Sequence, residues 1–224
     1  MTCFEELIAA VEGADSAANL LQTTRALANA IDGLRQDPSP VPPPGEALAC
    51  LVRILGYNNP GAAVAAVDGL IASGPAAVSA VLEGLDARNY GARAWAVRAL
   101  AGIGDVRGLD LLEQALADDI GPSVRRAAAI GLGTLRVELL TPNGRDAVQD
   151  RALKALQGAR HDAEWVVRYA VAAAMEQLAR QLPSRERKHG HAIATLTDLA
   201  DIEREEVPVV RLRASLALTR LTSP

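Results

Sequence analysis

Residues 123–135, SVRRAAAIGLGTL, contain the pattern that decides the fold. Val124, Ala128 and Leu132 are small or apolar and recur every four positions, which is the stripe of an amphipathic helix. Four further stretches repeat this pattern, at residues 61–73, 91–103, 166–178 and 209–221. The chain therefore contains five copies of one helix.

A leucine-rich helical stretch precedes each copy, so the repeating unit is a pair of helices. These stretches are EALACLVRIL, AAVSAVLEGL, LDLLEQALA, AVQDRALKALQG and HAIATLTDLA. Successive copies of the second helix lie 30, 32, 43 and 43 residues apart. Helix pairs at this period stack into an α-solenoid, because one pair cannot bury its apolar face without a neighbour. We expect an all-α solenoid of HEAT-like, armadillo-type hairpins.

Proline, glycine and charge mark the expected divisions of the chain. The proline-rich connector, residues 36–45, should be extended and stiff. It separates an expected helical cap, residues 1–35, from residues 46–224, which we expect to form one continuous array of about five repeats. Within the array, TPNG (141–144) and PSRERKHG (183–190) are predicted loops that lengthen the later repeats.

Composition and motifs exclude several classes of function. Half of the 224 residues are hydrophobic, only 3% are aromatic, and the formal net charge of -4 argues against nucleic-acid binding. The chain has no glycine-rich phosphate loop, GxSxG or HExxH motif, and the histidines His189 and His191 fall in a predicted solvated loop. Cys3 and Cys50 have no ligand or redox partner at suitable spacing, so we expect neither a metal site nor a disulfide.

The expected location is the cytoplasm. The first residues, MTCFEELIAAVEGAD, carry acids where a signal peptide needs a basic region and a long apolar run. No segment holds eighteen uncharged apolar residues, so we expect no membrane span.

Two features recur where each second helix begins. Proline or a large aromatic residue stands at its start, which suits the first turn of a helix. These residues are Pro60, Tyr90, Pro122, Trp165 and Pro208. An acid also lies five to seven residues before an arginine, which predicts a ladder of arginine and acid side chains between repeats. The pairs are Asp86 with Arg93, Asp118 with Arg125, Asp162 with Arg168, and Glu205 with Arg211.

Solenoids bind partners on the surface lined by their second helices. If Val124, Ala128 and Leu132 point inward, the opposite side carries apolar residues beside Arg98 and Arg126. The predicted groove residues are Ile130, Trp165, Tyr169, Leu212 and Leu216. The alternative is a helix phase shifted by one position, in which case these are core residues.

Five of the six aromatic residues fall at the start of second helices, which predicts a binding rim along one edge. The candidate residues on this rim and its neighbouring turns are Tyr57, Asn59, Asn89, Tyr90, Arg93, Trp95, Arg98 and Arg126. The alternative is that the aromatic residues only fill gaps between alanine-rich helices.

Three stretches of the sequence resemble the phycobilin lyase E/F family, and within it the shorter F-type subunits of phycocyanobilin lyase. They are GYNNPGAAVAAVDGLI (56–71), NYGARAWAVRALAGIGD (89–105) and SVRRAAAIGLGTLR (123–136). The third stretch is common to HEAT-like repeats, whereas the first two are more specific. The resemblance implies a cyanobacterial lyase subunit that works with an E-type partner. Together they attach a linear tetrapyrrole, with phycocyanobilin the first choice, to a cysteine of an apo-phycobiliprotein α subunit by a thioether bond.

The same resemblance implies roles for the candidate residues. Tyr57, Tyr90 and Trp95 would lie against the pyrrole rings, and arginines would bind the two propionates. These arginines are Arg93, Arg98 and Arg126. The bilin is a substrate, and no permanently bound cofactor is expected. The isomerising relatives carry an adjacent His-Cys pair that is missing here, so attachment without isomerisation is expected.

Two other interpretations of the function stay open at this point. One is a chaperone-like protein that binds bilin or apo-phycobiliprotein without promoting attachment. The other is a HEAT scaffold unrelated to pigments. The sequence does not single out a catalytic residue.

Overall fold

The computed structural model describes residues 4–35, 41–86, 88–183 and 186–222, and within these ranges it contains helices and turns but no strand. The helices are α1 (Phe4–Glu12), α2 (Ala17–Arg35), α3 (Gly45–Ile54), α4 (Pro60–Ser73), α5 (Ala77–Gly84), α6 (Tyr90–Ile103), α7 (Leu109–Asp118), α8 (Pro122–Gly133), α9 (Pro142–Gly158), α10 (Trp165–Arg180), α11 (Arg187–Ala200) and α12 (Pro208–Thr222). Short 3-10 turns stand at Gly74–Ala76, Val106–Gly108 and Ala159–His161. The predicted all-α repeat fold is confirmed.

The chain divides into two units, residues 1–105 and 106–224. In the first unit, α2 packs on α4 and α4 packs on α6, while α1 and α5 pack on α3. In the second unit, α8, α10 and α12 pack side by side, and α7, α9 and α11 pack along them. Each unit is thus a layer of second helices backed by a layer of first helices.

The helix phase predicted from the apolar stripe is confirmed. Val124 and Ala128 are completely buried and Leu132 is 1% exposed, whereas Ile130 on the other side of α8 is 37% exposed. The same holds in α12, where Val210 is completely buried and Leu212 is 69% exposed. The alternative of a shifted phase, with the groove residues in the core, is wrong.

Two predicted loops are instead helix starts. TPNG opens α9, because the Thr141 side chain accepts a hydrogen bond from Gly144 N at 3.2 Å and Pro142 takes the first helical position. PSRERKHG leads into α11, which begins at Arg187 and includes both His189 and His191. Lys188 stabilises this start: its Nζ donates to the carbonyl oxygen of Asp146 in α9 at 3.0 Å and pairs with the Asp146 carboxylate.

The predicted connector joins α2 to α3. Residues 41–44 have no regular structure, and Pro44 has φ -57° and ψ 138°, which is polyproline II geometry. The predicted residues 36–40 lie outside the described part of the chain.

One stretch, Pro60–Gly84, is long and apolar enough by composition for a membrane span. It consists of α4 and α5 separated by a 3-10 turn at Gly74, whose φ is +58°. Ala63, Ala66 and Leu70 of α4 are completely buried in the first unit. Packing in a protein core accounts for this apolar stretch.

An arginine ladder joins the repeats of the second unit, as predicted. The Arg125 guanidinium binds both carboxylate oxygens of Asp162 in the next repeat, at 2.7 and 2.9 Å. Arg168 binds Glu205 in the same way, at 2.6 and 2.8 Å. The pairing within each repeat differs from the prediction, because the arginine binds a backbone carbonyl there and not a carboxylate. Arg125 binds Asp119 O at 2.8 Å, Arg168 binds Asp162 O at 2.7 Å, and Arg211 binds Glu205 O at 2.6 Å.

These ladder pairs are more deeply buried than exposed surface pairs. The side chains of Arg168 and Glu205 are 12% and 3% exposed. Hydrogen bonds from Arg168 outweigh the effect of burial and hold the pKa of Glu205 below its usual value. Burial raises the pKa of Asp162, but the hydrogen bonds from Arg125 and Glu164 N, with the charges of Arg125 and Arg168, hold that pKa below its usual value. Both carboxylates therefore stay ionised in the folded protein at neutral pH.

Candidate functional site

In the first unit, aromatic and arginine side chains form two pairs along α6. Tyr90 is the first residue of this helix and is 46% exposed. The Arg93 guanidinium lies 5.7 Å from the centre of the Tyr90 ring, and the Arg98 guanidinium lies 5.7 Å from the Trp95 ring. These distances are those of cation–π pairs, so each ring carries a positive charge over one face.

Tyr57 occupies the turn before α4, one repeat earlier, and is 51% exposed. It lies at a cavity of about 310 Å³ between the two hairpins of this unit. Asn89, Val52 and Leu55 also line this cavity. None of the aromatic residues predicted as a rim in this unit is buried in the core, as the sequence led us to expect.

The two predicted asparagines have structural roles that the sequence analysis missed. The Asn59 side chain accepts a hydrogen bond from Ala62 N at 3.1 Å and donates one to Ala17 O at 2.9 Å. Asn89 repeats this arrangement with Ala92 N at 3.1 Å and Gly56 O at 3.0 Å. Each asparagine caps its own helix and ties it to the preceding repeat. An asparagine directly before a helix is a capping signal, and that signal was present in the sequence.

In the second unit, three predicted residues line one open cleft of about 660 Å³: Arg126, Trp165 and Tyr169. They come from α8 and α10, and Val209 of α12 closes the far side. Trp165 is the first residue of α10 and is 45% exposed. The structure thus places Arg126, predicted for bilin, beside two residues predicted for a partner surface.

The remaining groove residues lie on the same helices outside the lining of this cleft. Ile130 is 37% exposed on α8, and Leu212 and Leu216 are 69% and 44% exposed on α12. Apolar residues at this exposure on neighbouring helices are typical of surfaces that bind a ligand or another protein. We call the residues Ile130, Trp165, Tyr169, Leu212 and Leu216 the apolar groove.

A polar pocket of about 480 Å³ was not predicted. It lies at the turns before α10 and α12 and includes Arg160, Asp162, Asp198 and Glu205. Two of its acids, Asp162 and Glu205, are those of the ladder, and their recurrence before the second helices was the signal available in the sequence. Opposite charges fill this pocket with ion pairs, such as that between Arg204 and Asp198.

The described residues contain no group of His, Cys, Asp and Glu side chains arranged to hold a metal ion. Cys50 lies in α3 and is 1% exposed, and burial raises the pKa of its thiol. This thiol is protonated at neutral pH and unsuited to act as a nucleophile. Cys3 lies outside the described residues.

Comparison with known proteins agrees with this architecture. The family model for HEAT repeats matches residues 53–133 and 78–176. The chain is 51% identical over 177 residues to the phycocyanin alpha phycocyanobilin lyase CpcF of Synechocystis sp., covering 79% of this chain and 77% of that protein. The chain belongs to the CpcF family of HEAT-repeat phycocyanobilin lyase subunits.

One further relative and one solved structure are also similar to this chain. A phycobilisome maturation protein of Synechococcus elongatus is 45% identical over 97% of this chain and 98% of its own length. A solved structure of the complex of CpcE and CpcF of phycocyanin lyase from Nostoc sp. PCC7120 contains a chain that matches with a TM-score of 0.68. That chain is 38% identical, and the match covers 76% of this chain and 97% of that one. The family resemblance inferred from the three stretches of sequence is confirmed.

Proposed function

We propose that this chain is the F-type subunit of a heterodimeric phycobilin lyase. With an E-type subunit it attaches a linear tetrapyrrole, phycocyanobilin, to a cysteine of the phycocyanin α subunit. The observation that carries the proposal is the 51% identity to a phycocyanin alpha phycocyanobilin lyase along most of both chains. Identity to the CpcF protein exceeds the 28% found with the PecF protein of Nostoc sp..

The chemistry needs no nucleophile from this chain. The thiol of the acceptor cysteine adds across the exocyclic ethylidene double bond of the bilin, so sulfur binds one carbon and the proton goes to the bilin. No group leaves, and the lyase contributes by holding thiol and double bond in attack geometry and shielding the bilin from other reactions. The buried thiol of Cys50 and its raised pKa support a role for this chain in positioning.

The aromatic and arginine residues of the first unit are proposed to contact the bilin. Tyr57, Tyr90 and Trp95 are exposed or half-buried and lie against the flat pyrrole rings. Arginine forks bind propionates through paired hydrogen bonds. The arginines proposed for this role are Arg93 and Arg98, whereas Arg126, which the sequence also suggested for it, lies in the cleft of the second unit. Asn59 and Asn89 act indirectly, because their side chains hold the turns that carry the tyrosines.

The apolar groove of the second unit is proposed to contact the E-type subunit. Its exposed leucines on α12 offer the kind of apolar surface found at the centre of protein interfaces. The proposed location is the cytoplasm. Attachment without isomerisation is proposed because no histidine stands next to Cys3 or Cys50.

Reconstitution tests this function. The apo-phycocyanin α subunit, the bilin-synthesis enzymes and the E-type subunit are co-expressed with and without this chain. Covalent bilin is measured by the visible absorbance of the α subunit after acid denaturation. The lyase function predicts faster formation of a single covalent product only when this chain is present. A rise in soluble α subunit without faster attachment would establish the chaperone-like alternative instead.

A further inference from the structure

The last arginine of the ladder in the second unit, Arg211, has no carboxylate partner among the described residues. Asp119, Asp162 and Glu205 stand 43 residues apart, and each lies six residues before an arginine. In all three repeats that arginine binds the backbone carbonyl of its own acid through Nη1: Arg125 at 2.8 Å, Arg168 at 2.7 Å and Arg211 at 2.6 Å. The three guanidinium groups are therefore held in the same way.

The first two guanidinium groups have a second contact that the third lacks. Nε and Nη2 of Arg125 and of Arg168 bind the two carboxylate oxygens of an acid in the following repeat. Arg211 stands in the last helix, α12, and within residues 4–35, 41–86, 88–183 and 186–222 no carboxylate forms an ion pair with it. The Glu205 carboxylate is already bound by Arg168.

The surface of α12 around Arg211 also resembles the surfaces of α8 and α10 that are buried against a neighbouring helix. Ala129 of α8 and Ala172 of α10 stand at corresponding positions and are completely buried. Ser215 stands at the same position in α12, and it is exposed. A small residue here leaves room for the close approach of another helix, and the exposed Leu212 and Leu216 flank it.

We propose that Arg211 binds an acidic residue of the E-type subunit, which continues the ladder across the subunit interface. The geometry specifies this acid: it stands three residues before the first residue of a helix, as Asp162 does before Trp165 and Glu205 before Pro208. In this position its carboxylate also accepts the backbone N–H two residues on, as Asp162 does from Glu164 at 2.9 Å. This inference takes the partner from the proposed function and adds the contact.

The test measures the affinity of the E-type subunit for the whole chain by titration calorimetry. Arg211→Ala is expected to weaken binding roughly 30-fold or more, because truncating one member of an interfacial charge pair leaves the other unpaired. Arg211→Lys is expected to lose most of this affinity as well, because lysine cannot form the fork. Arg25→Ala, at an exposed arginine of α2, is the matched control and should bind as the unmodified chain does.

A second measurement separates an interface role from a structural one. Arg211→Ala should lower the Tm of the isolated chain by no more than about 4 °C, since within the chain it removes only the hydrogen bond to Glu205 O and no ion pair. Replacing the partner's acid with alanine should give the same loss, with no further loss in the double variant. Unchanged affinity of Arg211→Ala beside normal bilin transfer would overturn the inference and leave the proposed function standing. Loss of self-association by Arg211→Ala, measured by sedimentation, would assign the contact to a second copy and also overturn it.

Discussion

Arg168 and Glu205 illustrate how a single charge pair stabilises the second unit. Removing the guanidinium in Arg168→Ala takes the two Arg168 hydrogen bonds from the Glu205 carboxylate, which is 3% exposed and keeps only the bond from Val207 N. Loss of one partner of a buried pair costs about 3 kcal/mol or more. We expect this decrease in the free energy of unfolding by urea denaturation. Arg160→Ala removes a half-exposed pair with Asp198 at 4.0 Å and is expected to cost less than about 1 kcal/mol.

The same pair predicts a dependence on pH. The pKa of Glu205 is lowered by folding, so the folded state binds fewer protons than the unfolded state near that pKa. The contribution of the ionised Glu205 to the free energy of unfolding is complete above the pKa of the unfolded state. This contribution is lost as the pH falls through the pKa of the folded state. The difference in unfolding free energy between the unmodified chain and Arg168→Ala should therefore narrow from pH 6 to pH 3. A constant difference would contradict the role assigned to this pair.

Single residues also show what the sequence could and could not predict. The ladder followed from the repeated spacing of acids and arginines, because equivalent residues of stacked repeats occupy equivalent places. The contact between Lys188 and Asp146 joins residues 42 apart in the sequence, and neither residue belongs to the repeated spacing of acids and arginines, so that periodicity did not signal it. For Asn59 and Asn89, the capping position was visible, but the bond to the preceding repeat was not.

Among the helices, the contact between α8 and α10 depends on a missing side chain. A Cβ on Gly133 would lie 2.6 Å from Ala174 Cα and 2.8 Å from Ala174 O, which are backbone atoms of α10. Gly133→Ala should therefore destabilise the second unit by about 2 kcal/mol, despite the better helix propensity of alanine. Gly158, the last residue of α9, has no such neighbour, and Gly158→Ala should stabilise by about 0.5 kcal/mol. Thermal unfolding of both variants checks the prediction, and equal shifts would refute it.

Helix positions were predicted well where the apolar stripe was regular. All five second helices appear within two residues of their predicted starts and ends. The first helices α9 and α11 begin earlier than predicted, because proline, glycine and charge were taken to signal a loop. The same residue types suit the first turn of a helix, where proline has no N–H that needs an acceptor and threonine caps a free backbone N–H. Composition alone does not distinguish a loop from the first turn of a helix.

At the scale of the whole molecule, the proposed function divides between surfaces in the two units. The aromatic and arginine residues beside α6 are proposed for the bilin, and the apolar groove is proposed for a protein partner. The exposure of these residues followed from the helix phase. Their grouping did not, because Arg126, Trp165 and Tyr169 meet in one cleft through the packing of α8 on α10.

This division predicts that the two activities can be separated by mutation. Trp95→Ala with Arg98→Ala removes a ring and a cation that lie 5.7 Å apart, and with them a stacking surface and a propionate partner. These contacts are worth about 1.5 kcal/mol or more together, so the rate of bilin transfer should fall at least about tenfold. Affinity for the E-type subunit should not change.

The reciprocal variant changes the apolar groove of the second unit and leaves the residues proposed for the bilin intact. Leu212→Ser with Leu216→Ser removes exposed apolar surface from α12 and should weaken binding of the E-type subunit. Because the bilin contacts remain, excess E-type subunit should restore the rate of transfer, whereas it should not rescue Trp95→Ala with Arg98→Ala. Leu139→Ser, at a fully exposed leucine between α8 and α9, is the matched control. If both double variants lost transfer and partner binding in parallel, the two surfaces would not have separate roles, and one shared site would have to replace them.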